Sequence, residues 1–332
     1  MLRELGTNLN PDRLKPTLDI INNEGDRVLA ILDPPHLLKL TRNTLGDNKI
    51  LINSEGQPIK WAFVERLHDL QVRHGIHLAN KVRKKHIDFA KNRMNVSLAA
   101  QVISKSLANA ILCLCKDMKD PLFHGAEATA EFLLIFDFLF DVMNSKHLKS
   151  QFSKSPLSLE NMEKVLTELE KCKEYIMGLK HESGLSVLRG RRKAAFVGWL
   201  NNIESIKILY NQLILTRKLS FILMYKLSQD PLELFFGCIR ASLGYNNNPT
   251  VNQFKGAFKR ILAGAMLKST TGNCIWDEST SLLCSHQEED ISACHRTDII
   301  TNRYQKYISQ FNFIFKNQLL SHFYLDYLVM KI

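Results

Sequence analysis

The sequence predicts an α/β chain, mostly helical overall, in which a large all-α block interrupts the α/β part. Three stretches carry that expectation. Arg27-Val-Leu-Ala-Ile-Leu32 is a short apolar run stopped by Asp33-Pro34-Pro35, the pattern of a buried strand ending in a turn. From Ala62 to about Tyr225 apolar residues recur at helical spacing, starting with Phe63, Leu67 and Leu70. Gln229-Asp-Pro-Leu-Glu-Leu-Phe-Phe-Gly237 then opens a further helix. With 332 residues, of which 45% are hydrophobic, the chain can bury a core and form two or three folding units.

Residues 1–26 are polar, with turn signals at Gly6, Pro11, Pro16 and Asn22-Asn23-Glu24-Gly25. After the strand, His36 to Leu45 reads as a helix, and Lys49-Ile-Leu-Ile52 with Gln57-Pro-Ile-Lys-Trp61 forms a hairpin or an extended excursion. The helical block breaks near Asp120-Pro121, between Ser150 and Pro156, and between Gly178 and Gly190. Lys218 to Leu227 is mostly apolar, Gly244-Tyr-Asn-Asn-Asn-Pro249 is a turn, and Val251 to Leu267 is an amphipathic helix. The core-like part ends near Lys268, and the aromatic-rich stretch Asn302 to Ile332 is a docking helix or a divergent tail.

A net charge of +11 favours a polyanionic partner such as nucleic acid, although histone-like or membrane-surface roles fit charge alone. The seven cysteines are odd in number and several sit inside apolar helical patterns, which favours reduced thiols over a disulfide framework. The N-terminus has no signal-peptide layout, and the most apolar run, Phe132 to Met143, is broken by Asp137 and Asp141, so no membrane span is expected. Cys274, Cys284, His286, Cys294 and His295 do not follow paired zinc-ligand spacing.

Several stretches could carry chemistry. Asp33 lies at a strand end, where ligand sites collect in α/β folds, and equally where an Asp caps the next helix. Asp230 reads as an N-cap with Pro231 at the first helical position and Glu233 closing a capping box; the same (i, i+3) carboxylates share a face suited to a divalent metal, with Phe235, Phe236 and Ile239 docking the opposite side. Asp141 and Asn144 project from one helix face beside Phe140, and that trio can accept both guanine N1–H and N2–H, meet the O6/N7 edge and stack on the base. It can equally be an end-of-helix pattern. Lys81, Arg83, Lys84, Lys85, Lys91 and Arg93 make one basic run, and Arg189, Arg191, Arg192 and Lys193 a second; each is a solvated face or a phosphate-facing surface. No GxxxxGK[ST] loop occurs, so a bound nucleotide is not held by a Walker-type loop.

Four stretches, in order, resemble the P-element transposase family and its THAP-domain relatives. They are Asp33-Pro-Pro-His-Leu-Leu-Lys-Leu-Thr-Arg-Asn43; Ala79-Asn-Lys81 with Met94-Asn-Val-Ser-Leu-Ala-Ala-Gln-Val-Ile-Ser104; Phe140-Asp-Val-Met-Asn-Ser-Lys146; and Gln229 to Gly237 followed by Asn247-Asn248-Pro249-Thr250 and Gln253-Phe254. The resemblance spans roughly residues 25 to 265 and implies an RNase H-like catalytic core interrupted by a helical GTP-binding insertion. On that basis residues 1–60 are expected to form the N-terminal part of the core, 61–225 the insertion, 226–268 the C-terminal core helices and 269–332 a divergent tail.

The resemblance further implies metal-holding acids that cut and rejoin DNA with Mg²⁺. Asp33 and Glu233 match two of them, and Asp230 matches the acid lining the same site. Phe140, Asp141 and Asn144 match positions that grip guanine, and Lys81, Val96 and Ser104 match further GTP contacts. GTP in this family assists DNA binding rather than serving as fuel. Asn95 stands where the family usually has lysine. Asp12, Asp19 and Asp26 precede Asp33 in turn-like contexts, none ending an apolar strand, so the core is expected to be N-terminally incomplete, with one acid missing and no robust activity from the chain alone. The implied partners are transposon-end DNA, GTP, and a homo-oligomer or full-length transposase, with no membrane; the implied location is the nucleus. The alternative is a domesticated, non-catalytic DNA- or GTP-binding regulatory protein.

Overall fold

The computed structural model describes residues 5–21, 27–75, 78, 79, 81–148, 150, 152–262 and 328–330. They fall into two units, Met1–Ser228 with Tyr327–Ile332, and Gln229–Asp326. In the first unit strand β1 (Thr17–Ile21) pairs antiparallel with β2 (Arg27–Ile31), and β2 pairs antiparallel with β8 (Leu328–Met330). The polar N-terminal stretch therefore contains a strand that local turn signals conceal. Asp19 lies within β1 rather than in a turn, in the irregular stretch between the paired residues Thr17 and Ile21.

Helix α1 (Pro34–Asn48) begins where β2 ends. Strands β3 (Ile50–Ile52) and β4 (Pro58–Lys60) form the expected hairpin, and Asn53 closes its turn by accepting the Glu55 and Gln57 N–H groups. Helices α2 (Ala62–His74), α3 (Lys84–Ile87), α4 (Val96–Val102), α5 (Lys105–Leu112) and α6 (Glu127–Met143) follow. After β5 (Leu157–Ser158) come α7 (Met162–Gly178), β6 (Lys180–His181), α8 (Ala194–Leu209) and β7 (Phe221–Ile222). β6 joins the edge of β3, and β5 pairs with β7. Val96–Asp117 is long and apolar enough to cross a membrane by composition, but half of that window is buried inside the protein, and the Ser104 cap divides it into α4 and α5.

The helical block and the first sixty residues share one core. Leu29, Leu38, Leu45, Phe63, Phe132, Phe136, Trp199 and Leu200 all belong to a single buried apolar cluster, so no seam divides residue 60 from residue 61. Helix α8 is its centre. The Trp199 Nε1–H donates to Thr41 Oγ1 of α1 at 2.9 Å, and the Trp199 and Phe196 rings flank Phe136 of α6 at 6.2 and 5.9 Å. Gly198 lets α8 approach α1: a Cβ there would stand 2.3 Å from a Leu37 methyl. Side chains of α8 also complete β2, since Asn202 accepts the Leu32 N–H at 2.8 Å and donates to the Leu32 carbonyl at 2.6 Å, while Asn201 and Ser205 both donate to the Ala30 carbonyl.

The second unit contains α9 (Asp230–Ser242) and α10 (Val251–Leu262). Phe235 and Phe236 of α9 meet Phe258 and Phe254 of α10 at 5.7 and 6.1 Å, and Ile239 is buried, so the apolar side of α9 docks as its spacing predicts. The zinc-ligand types between Cys274 and His295, and residues 302–327, lie outside the described residues.

Candidate nucleotide-binding and acidic sites

Two polar features of the first unit meet at the start of α5. The first is a cleft of about 290 Å³ lined by Lys81, Ser97, Gln101 and Ser104, with Val82 and Leu107 as its apolar floor. Buried His86 sits behind it, bonded through Nε2 to Gln101 Oε1 at 2.6 Å and through Nδ1 to the Arg83 N–H at 2.9 Å, which fixes Gln101 against the cleft. Ser104 is the N-cap of α5: its hydroxyl accepts from the Leu107 N–H at 3.2 Å and donates to the Gln101 carbonyl at 3.0 Å. Val96 is the first residue of α4 and half-buried, on the same short helix as Ser97 and Gln101. Asn95, where the resembling family has lysine, caps α4 by accepting the Leu98 N–H at 3.0 Å. Its side chain therefore has a local structural task.

The second feature is the C-terminal end of α6. Phe140 is half-buried against the core and Asn144 is the helix C-cap. Asp141 accepts from Ser153 Oγ at 3.3 Å, and Lys154 Nζ approaches it at 3.7 Å. Burial raises the Asp141 carboxyl above its usual range against the pull of Lys154 and Ser153. One turn earlier, Asp137 is pushed up to about 6, first by burial and then by the neighbouring charge of Asp141. A hydrogen bond from the Lys105 backbone opposes that rise, as do the Lys154 and Lys105 charges. Lys105 follows Ser104 in the chain, and its charge favours the ionised form of both acids.

Sequence reasoning missed Asp137 and Lys105 as members of this site. The signal was present: Asp137 and Asp141 are four apart in the only interruption of an apolar run, which puts both on one helix face. A carboxyl whose folded value lies above its ordinary 3.8 contributes stability that is complete below 3.8 and lost as pH rises through about 6. Ionised Asp137 is therefore a cost to the fold at neutral pH. Asp137→Asn, which keeps an acceptor for the Lys105 backbone, is expected to raise stability by about 1–2 kcal/mol at neutral pH, after discounting for partial exposure, and to give no gain near pH 4. Denaturant midpoints of both proteins at the two pH values measure this.

The acids drawn from the strand end and from α9 lie in different units. Asp33 belongs to the first; it is buried and caps α1, its Oδ2 accepting the His36 N–H at 3.0 Å. Asp230 and Glu233 belong to the second, Asp230 half-buried and Glu233 exposed. The helix starts one residue earlier than the sequence pattern implies. Gln229 is the N-cap, and its backbone carbonyl already accepts the Leu232 and Glu233 N–H groups at 2.9 and 3.0 Å, which makes Asp230 the first helical residue. Among the described residues no three His, Cys, Asp or Glu side chains gather into a metal-binding group.

The helical block and its polar cleft resemble parts of known transposases. Residues 35–156 match the family model "TNP-like, GTP-binding insertion domain", and residues 225–259 match "TNP-like, RNase H C-terminal domain". The first span holds Lys81, Val96, Ser104, Phe140, Asp141 and Asn144; the second holds Asp230 and Glu233; Asp33 lies just before the first. The chain is 28% identical over 265 residues to DNA transposase THAP9 of Homo sapiens, covering 79% of this chain and 29% of that protein. It is 27% identical over 261 residues to the Transposable element P transposase of Drosophila melanogaster, covering 77% and 33%. The solved Drosophila P element transposase strand transfer complex superposes with a TM-score of 0.64 at 25% identity, over 79% of this chain and 57% of that one. This chain is thus similar to the P-element and THAP9 transposases, with matches to a GTP-binding insertion domain and to an RNase H C-terminal domain, and it spans about a third of the length of these two curated relatives.

Proposed function

We propose that this chain is a P-element-type transposase segment that binds GTP through its insertion domain and engages transposon-end DNA in the nucleus, in a homo-oligomer or with a full-length transposase. The observation that carries the GTP reading is the half-buried Asp141 carboxylate between Phe140 and Asn144, acted on by the charge of Lys105, which follows cleft-lining Ser104 in the chain. The residues fit the ligand. Asp141 can accept guanine N1–H and N2–H together, Asn144 can meet the O6/N7 edge, and Phe140 can stack on the base. Lys81 supplies positive charge toward phosphate, Ser104 a hydroxyl, and Val96 an apolar contact. Bound GTP would assist DNA binding rather than act as fuel, consistent with the absence of a Walker-type loop from the sequence. Titration with GTP and with ATP tests this: preference for GTP is expected, and equal or no affinity overturns it.

A second reading, a domesticated DNA- and GTP-binding regulator without strand-cleaving activity, is favoured by the use of Asp33 as a helix cap and by the lack of a three-acid group among the described residues. Metal-dependent DNA nicking with Mg²⁺ or Mn²⁺ separates the two. Nicking lost on Glu233→Ala would support the strand-cleaving reading, with Glu233 in its site, whereas no nicking would leave the regulator.

A further inference from the structure

The two basic runs, about a hundred residues apart in sequence, are joined in the first unit by one carboxylate. Asp47 near the end of α1 takes a bidentate pair from Arg93, at 2.7 and 2.8 Å, and a third contact from Arg192 at 2.6 Å. The bonds from Arg93 hold the Asp47 carboxyl below its ordinary range. Beneath them Arg42 is fully buried; it donates to the Asn92 and Arg93 carbonyls, and its guanidinium shares the Phe89 ring with that of Arg93 at 5.0 and 5.4 Å. Two guanidiniums thus pair with a single carboxylate, and the charge of a third, Arg42, acts on it from beneath. Arg93 and Arg192 remain 42% exposed while Asp47 is only 18% exposed, so the outward charge is cationic. Lys91, Arg191 and Lys193 extend it as exposed chain neighbours.

A solvated charge run is flexible and each cation finds water. Here Arg93 is pinned by bidentate bonding and by the Phe89 ring, and Arg192 by one short contact to the same carboxylate, which lowers the side-chain entropy that binding would otherwise cost. We propose that the Arg93–Asp47–Arg192 cluster, with Lys91, Arg191 and Lys193, is a preorganised surface for the phosphodiester backbone of duplex DNA. Arg93 and Arg192 each contact phosphate with the N–H groups that Asp47 does not use. The surface reads no sequence, because its donors meet phosphate rather than base edges. This inference rests on the DNA-binding part of the reading above.

Fluorescence anisotropy of a short random-sequence duplex with the full chain, between about 50 and 200 mM salt, tests it. The paired variants are Arg93→Gln/Arg192→Gln and Arg191→Gln/Lys193→Gln, with Lys164→Gln/Lys171→Gln on α7 as a control of equal charge change. Each surface pair is expected to weaken binding roughly tenfold and to flatten the log–log salt slope by about 1.8, while the control stays near wild type. The Arg191/Lys193 pair leaves the Asp47 bonds intact, so a folding defect in the other pair does not decide the result. Unchanged binding in that pair, or equal loss in the control, overturns the inference while leaving the DNA reading standing; a wild-type chain that does not bind duplex overturns that reading itself. Loss of binding to phosphatidylserine vesicles alone, without duplex binding, would reassign the surface to a membrane and also overturn the proposal.

Discussion

Asp141→Ala is expected to weaken GTP binding roughly 100-fold while leaving the weak affinity for ATP unchanged. Two hydrogen bonds from guanine N1–H and N2–H to a carboxylate each contribute about 1.5 kcal/mol or more in a site this sheltered, and their joint loss is about 3 kcal/mol. Adenine presents no such donor pair, so it has little to lose. Inosine triphosphate, which lacks the N2 amine, should fall between the two. The variant should fold: Asp141 makes only a 3.3 Å contact to Ser153 and a 3.7 Å approach to Lys154, and burial already disfavours its charge. The pH dependence has a definite sign. Guanine needs the ionised form, and the folded carboxyl lies above its ordinary 3.8, so affinity should decline on acidification at a higher pH than a freely solvated aspartate would allow. Calorimetric titration of the full chain with the three nucleotides, at neutral pH and near pH 5, measures all of this; equal weakening of GTP and ATP would show that Asp141 supports the fold and not the base.

How much of this was legible differs from residue to residue for physical reasons. The hairpin of β3 and β4, the docking side of α9 and the strand before Asp33 follow from local pattern and local turn chemistry, which short windows contain. Strand β1 was hidden because its register is set by β2, and because Asp19 interrupts its apolar pattern. The N-cap falls on Gln229 rather than Asp230, its carbonyl taking the Leu232 and Glu233 N–H groups, a one-residue choice that residue types alone do not rank. Asp141 and Asn144 are legible as neighbours on one helix face beside Phe140. The connection of that helix to the start of α5 is not, since it depends on α5 packing its capped start against α6, where the Lys105 backbone reaches Asp137. Likewise each basic run was plain in the sequence, but the carboxylate that joins them lies on α1 and reads there as an ordinary polar residue near a helix end.

Asn202→Leu is expected to destabilise the first unit by roughly 3–5 kcal/mol, the largest stability effect anticipated for a single side chain near the acidic strand end. Asn201-Asn202 looks like a loop dipeptide, yet both residues are buried in the middle of α8. The reason is that β2 ends against a helix rather than a further strand. The Leu32 N–H and carbonyl would be orphaned there, and the Asn202 amide presents an acceptor and a donor at 2.8 and 2.6 Å in place of a ladder partner. Leucine has the same branched skeleton of four side-chain heavy atoms, with bulkier methyl ends, but it leaves two buried backbone groups unpaired, each costing about 1–3 kcal/mol. The effect should reach the residue after them. Asp33 takes its direction from Leu32, so loosening this junction should also weaken the cap on α1, and amide exchange at His36, whose N–H Asp33 accepts, should accelerate in step with the loss of stability. Asn202→Asp would not restore the site, because a carboxylate can accept the Leu32 N–H but cannot donate to its carbonyl, and it adds a buried charge. Chemical denaturation of the three proteins measures the ordering; an Asn202→Leu protein as stable as wild type would mean that the amide is not what completes the strand.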